Sequence, residues 1–228
     1  MRYLKNNPWD AASVTWTLNF DETPVYALEP SGPFAADTCS YLQSLLDQQN
    51  KGKVGIVSIP GRIGGTTQLR NGQTVPTVAP VRRGMYGWNL ESIVDGVKGK
   101  GKDKLTKKEV AAREKKVEGI ESFLERVYYE LRNLGRSPEQ RAINFAATNA
   151  FEIERIYENA MLDDMDLDSI EVERSPICRP ESDCWDVKLI FFFPQRQVQT
   201  VRRMYRFTVD VSDVVPVMIG KMRKWHVR

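Results

Sequence analysis

Two runs of strict alternation near the end of the chain constrain its fold most. In the first, Trp185, Val187, Leu189, Phe191 and Phe193 share one side, opposite Asp186 and Lys188. In the second, Val201, Arg203, Tyr205, Phe207, Val209 and Val211 share a side opposite Arg202, Met204 and Arg206. A period of two is the signature of a pleated strand with one buried face. Ile170 to Arg174 alternates charge outward and predicts a third strand. Three such neighbours predict an antiparallel meander whose apolar side must be covered by another layer.

The covering layer is expected from the preceding segment. Ile120, Phe123, Leu124, Val127, Tyr128, Leu131 and Leu134 recur at helical spacing, and Gly135 follows as a C′ residue. Ser137-Pro138-Glu139-Gln140 reads as the next helix start: Ser137 caps, Pro138 occupies the first turn and Gln140 closes a capping box. Phe145, Ala146, Asn149, Ile153, Ile156, Tyr157 and Ala160 carry that pattern to about Leu162. The expected class is α+β: a C-terminal helix hairpin packed on an antiparallel β-meander, preceded by a smaller mixed α/β region.

In that earlier region Val25 to Pro30 predicts a short strand. Ala35 to Gln48 predicts a helix, with Thr38, Tyr41, Leu42, Leu45 and Leu46 at helical spacing. Val54 to Ile59 predicts a strand stopped by Pro60-Gly61. Two further strands flank Asn71-Gly72, a dipeptide suited to a type I′ turn. Arg82 to Trp88 is a Gly-spaced aromatic loop. The formal net charge of +3 hides an asymmetry, because the stretch 98–116 alone carries nine Lys or Arg against three acids. Residues 98–117 therefore read as a solvated basic linker between a region 1–97 and a C-terminal domain 118–228.

The composition excludes several functions. No apolar run approaches the roughly 20 residues of a membrane span. The first residues carry no apolar signal core, and three cysteines, an odd number, suggest a reducing, cytoplasmic setting. The single histidine, His226, lies three residues from the end, so a Ser-His-Asp or Cys-His arrangement would run through a terminal position. Pro60 to Gly65, PGRIGG, has glycines but no following Gly-Lys-Ser/Thr, and reads as a strand connection. The run Asp163, Asp164, Asp166, Asp168 lacks the Gly and Glu of a calcium loop and reads as a solvated helix end.

Cys178 and Cys184 are the candidate metal ligands. They flank a Pro-containing loop between predicted strands, where two thiolates can meet one structural zinc. A tetrahedral set would close with His226, with an acid, or with the same pair from a second subunit. Two free thiols or a disulfide across the loop are the competing readings, and Cys39 is remote in sequence. Arg202 and Arg206 interleave with aromatics as in an RNA-binding strand, but a cross-strand charge ladder with Glu171, Glu173, Asp186 and Lys188 accounts for them without nucleic acid. Ile190 and Phe192 fall on the side opposite the expected core and predict either an apolar patch for a partner, a second subunit or another domain, or a sheet covered on both sides by the helix hairpin and the N-terminal region.

Several stretches resemble one family. VYALEPSGPFA (25–35), VSIPGRIGG (57–65), LRNGQTVP (69–76), RGMYGWN (83–89), FLERVYYELRNLG (123–135), RAINFAATNAF (141–151), DSIEVERSPICRPESDCWDVKL (168–189) and MYRFTVDVSDVVPV (204–217) are similar to the region beyond the protease domain of PatA/PatG-type cyanobactin maturation proteases. In that family subtilisin-like domains cleave and cyclise ribosomally made peptides in the cytoplasm. The subtilase Asp, His and Ser motifs match nothing here, so the resemblance implies a non-catalytic accessory part. The expectation is a scaffold or docking module, a homodimer or a partner of the protease domain. The alternative is a module that binds the precursor peptide at a free sheet edge, with Arg82 to Trp88 and the Arg202/Arg206 face as contact surfaces.

Overall fold

The two residues Asp21 and Glu22 both adopt positive φ, 45° and 62°, and join Trp16–Phe20 (β1) to Thr23–Leu28 (β2) in a two-residue hairpin. That is the type I′ geometry, whose twist matches that of the strands it links. The expected I′ turn at Asn71-Gly72 is built differently. Only Gly72 is left-handed there, at φ 86°, and its N–H donates to the Leu69 carbonyl at 2.9 Å while Leu69 N–H donates to Gln73. This is a three-residue loop of a type I turn closed by a glycine, needing one positive φ where I′ needs two.

The computed structural model describes residues 2–89, 110, 114, 118–119, 121–130, 133–148, 156, 160, 165–193 and 202–227. The chain forms two compact units, residues 1–89 and 90–228. The basic stretch expected as a linker falls almost wholly outside the described residues.

In the first unit, Arg2–Asn6 (α1) and a 3-10 turn Pro8–Ser13 precede β1; the Trp16 indole donates to the Ala11 carbonyl at 2.9 Å and fixes that junction in the core. Ala35–Asn50 (α2) follows β2, burying Thr38, Cys39, Leu42, Gln43 and Leu45. Then come Ile56–Ser58 (β3), Gly61–Gln68 (β4), Thr74–Pro80 (β5) and Tyr86–Trp88 (β6). One sheet has the order β1-β2-β5-β4, in which β2 and β5 run parallel across the α2 crossover; β3 and β6 pair separately.

Gly61, in the PGRIGG motif, explains why that segment is glycine-rich. A Cβ there would overlap Val78 Cγ1 and lie 2.8 Å from the Ala79 carbonyl oxygen. The glycine permits close strand approach, not phosphate binding. Gly61→Ala should lower stability by about 1–3 kcal/mol, read as a lower denaturant midpoint at unchanged slope.

In the second unit, Asp166–Arg174 (β7), Cys184–Phe192 (β8), Arg202–Asp210 (β9) and Val217–Val227 (β10) form an antiparallel sheet in the order β10-β9-β8-β7. Val187 stands opposite Phe207 and Leu189 opposite Tyr205, all buried. Pro138–Thr148 (α3) packs across β7, β8 and β9, contributing Ala142, Ile143, Ala146 and Ala147 to the core. Ser137 caps its start as expected, while Gln140 reaches back one residue further than a capping box would. Ser137 Oγ accepts the Gln140 N–H at 3.3 Å, and the Gln140 side chain accepts the Arg136 N–H at 2.8 Å. Gly135 is left-handed at φ 68°.

The expected α+β class with a C-terminal helix hairpin is corrected by this architecture. Among the described residues the molecule is predominantly β, with ten strands in three sheets; the helices with complete bounds are α1, α2 and α3, and residues 118–119 and 121–125 are also helical. Where the first hairpin helix was expected, residues 118–119 and 121–125 are helical, and the backbone over Arg126–Glu130 widens into a π-helical turn. Val127 and Tyr128 there are β-branched and aromatic and lose side-chain freedom in an α turn. Phe123, Leu124 and Val127 are buried as their spacing requires, so the apolar stripe stands although the described residues form no helix hairpin. Continuation of α3 toward Leu162 concerns residues mostly outside those described. The sheet also gains β10, which the residues did not announce.

Candidate docking edge and thiol loop

The side of the second sheet opposite α3 carries the charge ladder. Across β7, β8 and β9, Lys188 Nζ sits 2.6 Å from Glu173, Arg202 3.1 Å from Asp168, and Arg206 3.3 Å from Asp186. Asp186 is fully buried, and its Oδ1 accepts the Thr208 hydroxyl at 2.6 Å. Its Oδ2 and the Arg206 Nε make no hydrogen bond in good geometry, so the ion pair is closed by charge more than by direction. The Arg206 guanidinium lies over the Trp225 ring of β10 at 5.3 Å. Arg202 and Arg206 are thus engaged within the sheet. Asp168 also accepts both Arg126 terminal N–H groups at its carbonyl, 3.1 and 3.2 Å away, and belongs with Asp166 to β7. The helix-end reading of that acidic run therefore does not hold at these two positions.

Ile190 lies on this same side but is only 5% exposed, and Phe192 is half-buried. Ile190 stands opposite Met204, itself buried, so the apolar patch expected here is covered within the chain. In Arg82 to Trp88, Met85 and Trp88 are core residues, Arg82 stacks on Tyr41 at 3.6 Å, and Tyr86 is exposed.

β10 and β7 are the two edge strands of this sheet, and β10 is the longer. Eight of its eleven residues pair with β9, and among the described residues no strand pairs with its outer edge. Lys221, Arg223, Lys224 and His226 are exposed, as are Val217 and Trp225. A bulge between Ile219 and Arg223, with Gly220 left-handed at φ 72°, breaks the alternation and hid this strand from a period-two reading. His226, expected as a frayed tail, stands opposite Arg203, with Nε2 3.5 Å from the Arg203 guanidinium. The β9–β10 loop is held from beneath: Arg141 on α3 donates to the carbonyls of Val211 at 2.8 Å, Val214 at 3.3 Å and Asp213. Two of the resembling motifs, RAINFAATNAF and MYRFTVDVSDVVPV, meet at this clamp.

The β7–β8 loop carries the cysteines. Cys178 is exposed, and its thiol donates to the Ser182 carbonyl at 3.0 Å. Cys184 is buried at the start of β8. Burial, then the Cys178 sulfur that its thiol meets, push its pKa up to about 12, with Asp210 adding to the rise. The Ser212 hydroxyl and N–H on its carboxylate hold Asp210 below the usual carboxylate range. The loop is pinned to its neighbour, since Ser212 Oγ accepts the Asp183 N–H at 2.7 Å and Asp183 O accepts the Val211 N–H at 2.8 Å. The two thiols expected as zinc ligands share this loop, and the Cys178 thiol is among the groups that raise the Cys184 pKa. Among the described residues no group of three His, Cys, Asp or Glu side chains is placed to hold a metal. Cys39 is buried on α2 of the first unit. Among the described residues no helix is long and apolar enough to cross a membrane.

Among the described residues, the fold and these surfaces define a mostly β structure whose conspicuous features are an unpaired strand edge and two cysteines in one hairpin loop. The chain belongs to the PatG family: the PatG C-terminal description matches residues 110–225 and the PatG Domain description residues 1–65. A solved structure titled "PatG Domain of Unknown Function" is similar over 99% of this chain and 86% of its own, at 37% identity and a TM-score of 0.85. No curated protein matches the chain.

Proposed function

We propose that this chain is a non-catalytic accessory module of the cyanobactin maturation system, acting in the cytoplasm, that docks an extended partner segment by strand addition along β10. The carrying observation is the outer edge of the eleven-residue β10, unpaired among the described residues and carrying exposed Lys221, Arg223 and Lys224. The unpaired N–H and C=O groups of an edge strand accept another strand, and main-chain bonds then supply affinity. The cations favour an acidic segment and oppose two copies of β10 pairing edge to edge, since like charges would be brought together. The precursor peptide is the partner this favours over a second copy of the chain; an extended segment of the protease domain would use the same edge.

Fluorescence anisotropy of labelled precursor peptide tests the reading. Saturable binding that weakens with salt is expected. Reversing Lys221, Arg223 and Lys224 to Glu should weaken it at least about tenfold, some 1.4 kcal/mol. A flat titration, or affinity indifferent to the triple reversal, would overturn it. Light scattering that gives a stable dimer surviving the same reversal would favour self-association through another face.

A further inference from the structure

We propose that Cys178 and Cys184 form a dithiol–disulfide pair in which Cys178 is the entry thiol and Cys184 the resolving thiol. The inference rests on placement. The Cys178 thiol reaches the Ser182 carbonyl at 3.0 Å, two residues before Cys184, and of the two cysteines Cys178 is exposed and Cys184 buried. Five residues separate them in a loop whose ends are held together, because Ser175 N–H donates to the Cys184 carbonyl at 2.8 Å. The loop already contains a left-handed non-glycine residue, Glu181 at φ 67°, which holds the chain in a tight reversal between the two sulfurs. Pairing needs the two Cα atoms within about 7 Å, a span that a five-residue loop closed at its base can meet. Cys39, buried in the first unit, offers neither an accessible sulfur nor a described thiol partner and serves as an internal control.

The oxidant is a small-molecule disulfide such as oxidised glutathione. The Cys178 thiolate attacks one of its sulfurs, forming a mixed disulfide and expelling one small thiolate, which takes up a proton. Cys184 then gives up its proton to solvent and attacks the Cys178 sulfur, expelling the second small thiolate. Two protein thiols are oxidised to one disulfide, and one small disulfide is reduced to two thiols. Closure would covalently fix the β7–β8 loop that Asp183 and Ser212 tie to the β9–β10 loop. This inference does not depend on what β10 binds.

Intact-mass measurement of the folded full chain in glutathione buffers of graded oxidised-to-reduced ratio tests it. The protein and Cys39→Ser should each lose the mass of two hydrogens, reversibly on adding reduced glutathione. Cys184→Ser should stop at an adduct of one glutathione, and Cys178→Ser should remain unmodified. Failure of the two-hydrogen loss, modification of folded Cys178→Ser, or closure seen only after a chelator strips metal from the pair would each overturn it. Peptide mapping that places the bond at Cys39 would do the same.

Discussion

Phe191→Ala should lower the unfolding free energy by about 3–5 kcal/mol, among the largest effects of any single truncation in this protein. Phe191 is fully buried in the middle of β8, where its ring meets the Tyr205 ring edge-on at 5.5 Å and 85°. Removing it deletes apolar area that no neighbour can replace, because the strands on either side are fixed by their own ladders. A double-mutant cycle with Tyr205→Phe and Tyr205→Leu separates ring packing from bulk burial. The edge-on contact should appear as a coupling of about 0.5–1.5 kcal/mol for the leucine change. Guanidinium unfolding monitored by far-ultraviolet circular dichroism gives both numbers. A loss under 1 kcal/mol for Phe191→Ala would mean that this side of the sheet is not the packed core described above.

The second large effect concerns Asp186. Asp186→Ala should cost about 3–5 kcal/mol, since it strands a mostly buried Arg206 guanidinium and removes the acceptor of the Thr208 hydroxyl. The joint replacement Asp186→Leu with Arg206→Met should cost far less and fall near neutral. Two charges taken out of water regain little when the guanidinium Nε and the carboxylate Oδ2 lack well-directed hydrogen bonds. Equal losses for the single and joint changes would show that the pair itself stabilises the sheet. Near-neutral behaviour of the joint change would leave the ion pair free to serve the face it occupies, beside Trp225 and the β10 edge. Peptide binding measured on that joint variant then tells whether the ladder also orients the docking strand.

Much of the second sheet was readable from residues alone. The alternation through Trp185 to Phe193 and Val201 to Val211 located β8 and β9 and the side of each that faces the core at Val187, Leu189, Tyr205, Phe207 and Val209. Ser137 and Gly135 marked a helix boundary because capping is local, involving groups within three residues of each other. The charge ladder was also legible, since cross-strand partners follow once register follows. The turn at Asp21-Glu22 was not, because neither residue carries the usual glycine signal for positive φ. β10 was missed for a related reason: its bulge shifts the pattern halfway along the strand.

The candidate site divides in the same way. The proximity of Cys178 and Cys184 followed from a short loop between two adjacent strands. The burial of Ile190 did not, because a strand's outer side counts as exposed until one knows what lies over it. Periodicity likewise marked Phe123, Leu124 and Val127 as inward-facing without deciding the helix type, since an apolar stripe survives a π turn.

Local alternation, capping and charge order were thus written into the chain itself, because each depends on neighbours a few positions apart. The predominance of β structure, the open edge at β10 and the clamp from Arg141 to the β9–β10 loop were decided by the tertiary structure. The clamp joins segments some seventy residues apart, and the edge depends on a strand order that no local spacing records.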